Sequence, residues 1–160
     1  MLVDFNKLPD HSRVWIYQSN RRFTPEELDI ISVKTNDFLE NWTAHGTGLQ
    51  ASFELRYERF IILAVNQDAQ AATGCSIDAS VRFIQELEQE LGVELLDKMN
   101  VAFKQGDYVN FKSLLEFKTM VKNGAIGKKT TVFNNLVTNI AEYKDNWEVP
   151  AQESWHSRFF

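Results

Sequence analysis

The chain has one cysteine, Cys75, in Ala71-Ala72-Thr73-Gly74-Cys75-Ser76-Ile77-Asp78-Ala79-Ser80-Val81, where a loop hands over to an amphipathic segment. Backbone N–H groups and the positive end of a helix dipole gather at such a junction, and both favour a thiolate over a thiol. With a base beside it, that thiolate would do nucleophilic chemistry. His45 would take the proton, Cys75 sulfur would attack, and the N–H groups of Ser76 to Asp78 would hold a developing oxyanion. The competing reading makes Cys75 a small buried hydrophobe, Ser76 a helix cap, Asp78 a partner of the helix dipole, and His45, before Gly46, the end of the preceding helix. No cysteine-enzyme signature surrounds Cys75.

Whether His45 and Cys75 meet depends on the elements that carry them. Arg13 to Ser19 is rich in β-branched and aromatic residues and reads as a first strand. Thr24-Pro25-Glu26-Glu27 is a capping box with proline at the first helical position, and Leu28, Ile31, Phe38 and Trp42 continue it as a helix to about Trp42. Ala51, Phe53, Leu55 and Tyr57 alternate with polar residues as a half-buried strand, whereas Phe60 to Val65 is apolar on both faces and predicts a central one. From Ile77 a helix turns Val81, Ile84, Leu87 and Leu91 inward and stops near Gly92. Asn100 to Lys104 reads as a strand, Asp107 as the N-cap of a helix ended by Gly124, Thr131 to Val137 as a strand and Asn139 to Trp147 as a short helix.

The order β-α-β-β-α-β through Lys104 is that of an α+β, ferredoxin-like split βαβ sandwich, with further helix and strand material after it. Both helices would pack on one face of the sheet. Loops 43–49 and 66–76 would then share one end of it, with Arg13 and the Lys104 turn beside them. That end brings His45 to Cys75 and makes Arg13, Ser76, Asp78 and Lys104 the candidate ligand-binding residues.

At 160 residues and 44% hydrophobic, the chain is long enough for one α+β domain over 1–160. A net charge of -5 gives no global attraction to nucleic acid or anionic lipid. Arg13, Trp15 and Tyr17 share a strand face that would suit base stacking, but the RNP1 pattern is missing and the same rings serve equally as core. The start of the chain lacks a basic, apolar signal pattern, no run is long enough to span a bilayer, and one cysteine cannot staple a secreted fold; a cytoplasmic protein is expected. His11, His45 and His156 are too scattered for a metal motif, so no metal or cofactor is expected. The aromatic tail 148–160, with Trp155, Phe159 and Phe160, is expected to be buried on the body or across a homodimer interface.

Gly124-Ala125-Ile126-Gly127-Lys128-Lys129-Thr130 invites comparison with a P-loop and fails it. Lys122 stands where the first glycine belongs and Lys129 where a hydroxyl must reach Mg²⁺. Across Val14-Trp15-Ile16-Tyr17-Gln18-Ser19, Trp42-Thr43-Ala44-His45-Gly46, Thr73-Gly74-Cys75-Ser76-Ile77-Asp78 and Glu153-Ser154-Trp155-His156, the chain resembles a family of short uncharacterised bacterial proteins often labelled "ABC transporter ATPase". The likeness covers essentially the whole length, and the label implies ATP hydrolysis. The residues argue against that activity: there is no complete P-loop, no L-S-G-G-Q-like signature and too little chain for the usual nucleotide-binding domain. Three functions remain open: a domain binding a small ligand or a protein at the His45 and Cys75 end, a thiol enzyme at the same place, and a structural homodimer module.

Overall fold

An apolar run with no polar face, Phe60 to Val65, has to lie where both faces are covered, and it organises the first half of the protein. The computed structural model describes residues 1–160, an α+β arrangement of antiparallel sheets and four α-helices. Its contacts group the chain into two compact units, residues 1–96 with 138–140 and residues 97–137 with 141–160.

The first unit contains β1 (Arg13–Gln18), α1 (Pro25–Glu40), β2 (Thr43–Ala44), β3 (Thr47–Gly48), β4 (Gln50–Arg56), β5 (Phe60–Asn66) and α2 (Gly74–Leu91). Its main sheet has the order β1-β5-β4, antiparallel throughout, and every residue of β5 from Phe60 to Val65 is 0% exposed. Register then decides which side chains share a face. Trp15 and Tyr17 lie opposite Leu63 and Ile61, and Ala51, Phe53 and Leu55 lie opposite Val65, Leu63 and Ile61. All of these cluster with Ile31, Phe38 and Leu39 of α1 and with Phe83, Ile84 and Leu87 of α2, so both helices cover one face, as their apolar stripes predict.

The ends of those helices are tied together. Thr24 Oγ1 accepts from the Glu27 N–H at 3.2 Å while Glu27 Oε1 accepts from the Thr24 N–H at 2.9 Å, completing the expected capping box. Arg21 donates to both Glu27 carboxylate oxygens at 2.7 Å and to the Leu91 carbonyl at 2.8 Å, joining the start of α1 to the last residue of α2. Hydrogen bonding from Arg21, reinforced by Thr24, lowers the Glu27 pKa to about 2.

The fourth strand expected in this sheet is not there. Asn100–Gln105, here β6, belongs to the second unit, and the outer edge of β1 is met instead by residues 138–140. Val14 N–H donates to the Thr138 carbonyl at 3.0 Å, Ile140 N–H donates to the Ser12 carbonyl at 3.1 Å, and Arg13 bridges Asn139 antiparallel.

β6 is captured locally by β7 (Tyr108–Ser113), across the two-residue loop Gly106-Asp107, with Gln105 opposite Tyr108. Gly106 takes φ +63, which a glycine adopts without steric penalty, and closing so short a loop costs less entropy than reaching a distant strand. The helix expected from Asp107 is therefore corrected: Tyr108 to Ser113 is a strand, and Ser113 caps α3 (Leu114–Lys122) by accepting from the Glu116 N–H at 3.2 Å. With β8 (Thr131–Phe133), α4 (Ile140–Asn146) and β9 (Glu148–Pro150), the second sheet has the order β7-β6-β8-β9.

One core of the second unit is formed by Phe103, Phe117, Ile126, Val132 and Ala151, with Trp155 and Phe159 packed against it. Trp147 forms another contact centre, its ring 5.0 Å from Phe133 and 5.2 Å from Tyr143, its Nε1–H donating to Asn135 Oδ1 at 2.9 Å. The tail differs in detail from expectation. Phe160 is 39% exposed, Trp155 and Phe159 are half-buried, and the inaccessible side chain is His156. Its ring stacks on Trp155 at 3.8 Å and its Nδ1 shares a 2.8 Å hydrogen bond with Ser154 Oγ. Burial, aided by the charge of Arg158, lowers its pKa to about 4.

These two shifted groups set expectations for acid stability. Glu27 has a depressed folded pKa, so its stabilisation is present above its unfolded value and is lost as pH falls towards about 2. Glu27→Gln should cost about 1–2 kcal/mol at neutral pH in denaturant unfolding, and the difference from the native chain should shrink as acid protonates Glu27. His156 is also depressed, so between the ordinary imidazole value and about 4 the unfolded chain takes up a proton that the native one refuses. Its ring resonances in NMR should stay at their neutral positions through that window while the melting temperature falls; a midpoint at the ordinary imidazole value would contradict this.

Candidate functional site

Lys34, Asp37, Phe38 and Asn41 recur at helical spacing along one side of α1, and Cys75, Ala79, Phe83 and Glu86 do the same along α2. The two stripes face each other across an open groove of about 620 Å³. Phe38 and Phe83 stack at 4.5 Å with their planes 5° apart, and Trp42 closes the floor 5.3 Å from Phe38. The Trp42 indole N–H donates to the Ser76 carbonyl at 2.8 Å in a buried bond, which holds the end of α1 against the first turn of α2.

His45 reaches this groove on a tight hairpin. β2 and β3 pair Ala44 with Thr47, leaving His45-Gly46 as a two-residue loop with φ +50 and +76, the sign pattern of a type I′ turn. Glycine takes such a value freely; histidine takes it at a steric cost, though it is among the residues enriched there. His45 is therefore at the tip of a hairpin, not at the end of a helix, and its side chain is exposed.

Cys75 is the second residue of α2 and is also exposed, which corrects its reading as a buried hydrophobe. The helix begins three residues earlier than Ile77. Thr73 is the N-cap: its Oγ1 accepts from the Ser76 N–H at 3.2 Å, while Ser76 Oγ accepts from the Thr73 N–H at 2.6 Å and donates to the Thr73 carbonyl at 2.9 Å. Ser76 thus completes the capping box and does not head it, and its 3% exposed hydroxyl is committed to the backbone.

Cys75, His45 and Ser76 line the one groove, whereas the other three candidate residues do not. Asp78 is exposed on α2 away from the groove lining. Arg13 lies with its guanidinium 5.1 Å from the Trp15 ring centre, and Lys104 sits in the second unit, ion-paired with Glu148. Lys104 belongs with the loop end only if Asn100 to Lys104 is the fourth strand of the first sheet, and that strand lies in the second sheet. Arg13 does lie at that end, opposite Val65 where β5 runs into loop 66–76, but it does not line the groove.

Sequence reasoning missed Lys34, Asp37, Asn41 and Glu86, although the spacing that brings Phe38 and Phe83 inward also puts these four on the groove walls. Lys34 Nζ lies 2.6 Å from Glu90 Oε2, and both partners are about half exposed, so the pair adds little stability. No group of three or more His, Cys, Asp or Glu side chains converges as a metal site would require. The basic loop 124–130 follows α3 and leads into β8, and Thr130 Oγ1 accepts from the Gly127 N–H at 2.9 Å, closing the loop on itself. No helix is long and apolar enough to cross a membrane. Comparisons with protein-family models, curated proteins and solved structures found no match.

Since Cys75 is the sole thiol and is exposed, the native protein should take up one equivalent of a thiol-disulfide reagent without denaturant. Reaction only after unfolding would contradict the exposure of the α2 N-terminus.

Proposed function

We propose that the first unit is a binding domain and that a small molecule carrying a planar apolar portion seats in the groove between α1 and α2. The observation that supports this is the combination of a stacked aromatic floor, Phe38, Phe83 and Trp42, with a polar rim from Lys34, Asp37, Asn41, His45 and Glu86. Apolar floor with few polar directors is the usual composition of a small-molecule site, and the volume is within the usual range. A protein segment presenting one aromatic side chain would use the same surface. We read the scaffold as a ferredoxin-like sheet whose fourth place is taken by residues 138–140. A cytoplasmic setting suits its exposed unpaired thiol. ATP hydrolysis, implied by the family label, is left out, because loop 124–130 neither follows a strand nor opens a helix.

The groove also favours a second reading, a thiol-dependent enzyme, because Cys75 and His45 line it together. There Cys75 sulfur would bond to an acyl carbon as His45 takes the thiol proton and returns it to the departing group. The two readings separate cleanly. A fluorinated fragment library screened by NMR should give ligands whose binding shifts Phe38, Phe83 and His45 resonances, and a bulky maleimide on Cys75 should weaken them by at least about tenfold. Ligands that map elsewhere and ignore the adduct would refute the binding reading. Cleavage of an activated thioester, lost in Cys75→Ser and slowed in His45→Ala, would establish the enzyme instead.

A further inference from the structure

The second unit carries a cluster that the groove does not explain. Lys118 and Lys122 lie four apart on α3, on one side of the helix, and with Arg158 and Phe159 they line a pocket of about 600 Å³. Lys118 Nζ lies 5.4 Å and the Arg158 guanidinium 5.0 Å from the centre of the same Phe159 ring, and Arg158 is also 5.1 Å from Trp155. No carboxylate is ion-paired with any of the three cations.

Three cations therefore line one pocket with no carboxylate paired to them; Lys118 and Arg158 are held on aromatic faces, and like charges four apart on a helix are mildly unfavourable. Lys122 also gains from the C-terminal end of the α3 dipole. The unit around them is also unlike the rest of the chain. Residues 97–137 with 141–160 hold nine Lys and Arg against seven Asp and Glu, whereas residues 1–96 with 138–140 hold eight against fifteen. A chain that is acidic overall has therefore kept a cationic pocket in its one basic unit.

We propose that this pocket is an anion site, and that its ligand is a small molecule bearing a multiply charged phosphate group. Three donors lining one pocket suit several phosphate oxygens at once, with the Arg158 fork able to supply two parallel bonds and the lysines acting as point charges. The pocket is roomy enough for more than the phosphate alone. The site is independent of the α1–α2 groove, and either can fail without the other.

Calorimetry of the full chain with inorganic pyrophosphate at low ionic strength tests it, with acetate as the singly charged control. Saturable binding of pyrophosphate is expected, with Lys122→Gln and Arg158→Gln each weakening it by about tenfold or more. Arg158→Lys, which keeps the charge and the aromatic contact, should retain more affinity than Arg158→Gln and guards against a folding defect. His45→Ala should leave binding unchanged. No saturable heat, equal binding of acetate, or pyrophosphate binding that ignores both neutral variants would overturn the proposal. So would a single-stranded oligonucleotide that binds far tighter than pyrophosphate with a steep salt dependence, because the pocket would then be part of a nucleic-acid surface.

Discussion

The strand β5 is cut off from water along Phe60 to Val65, so its backbone N–H and carbonyl groups have to be satisfied by its two neighbours. That requirement fixes the register of β1 on one side and β4 on the other. A slip by one residue would turn Ile61, Leu63 and Val65 away from the helices. Once the register is set, Trp15, Tyr17, Phe53 and Leu55 are committed to the helix face, and α1 and α2 have one surface to cover. The burial of Tyr17 is part of the same commitment: burial raises its phenol pKa, while a hydrogen bond with Ser80 on α2 opposes the rise.

The groove follows from how two helices lie side by side on that surface. Their deep stripes go to the sheet, and the adjoining stripes, Lys34 to Asn41 and Cys75 to Glu86, are left to face each other. The Phe38–Phe83 stack spans the gap at its base, with Trp42 beside Phe38, and Lys34 reaches across to Glu90. The Trp42 bond to the Ser76 carbonyl acts at one end and Arg21 at the other, so the helices are pinned at both ends with the groove between them.

What was legible in the sequence was what local chemistry or periodicity dictates by itself. The Thr24 capping box, the Gly92 stop, the two-faced β5 and the helical stripes were all readable, and His45 and Cys75, expected at one end of the sheet, both line the groove. The errors came from short turns. Gly106-Asp107 reads as a helix start if Tyr108, Phe111 and Leu114 are counted at helical spacing, yet Val109 and Phe111 alternate as a strand, and the hairpin won because its closure is local. His45-Gly46 was passed over in the same way. One misplaced strand carried Lys104 with it, while Lys34 and Glu86 were invisible because exposed charged residues on a helix look alike until a second helix gives them a facing wall.

The edge of β1 has a consequence for how the chain is made. Residues 1–96 supply nearly all of the first unit, but the segment that covers the β1 edge arrives only with Thr138 to Ile140. A ribosome adding about 5–20 residues per second would leave that edge bare for roughly 2–8 seconds after Leu96 is joined. During that interval Val14 offers an unpaired donor and Ser12 an unpaired acceptor to any extended strand nearby. The nascent first unit is then a sheet waiting for its own closing segment, and the intervening forty-odd residues set how long it stays adhesive.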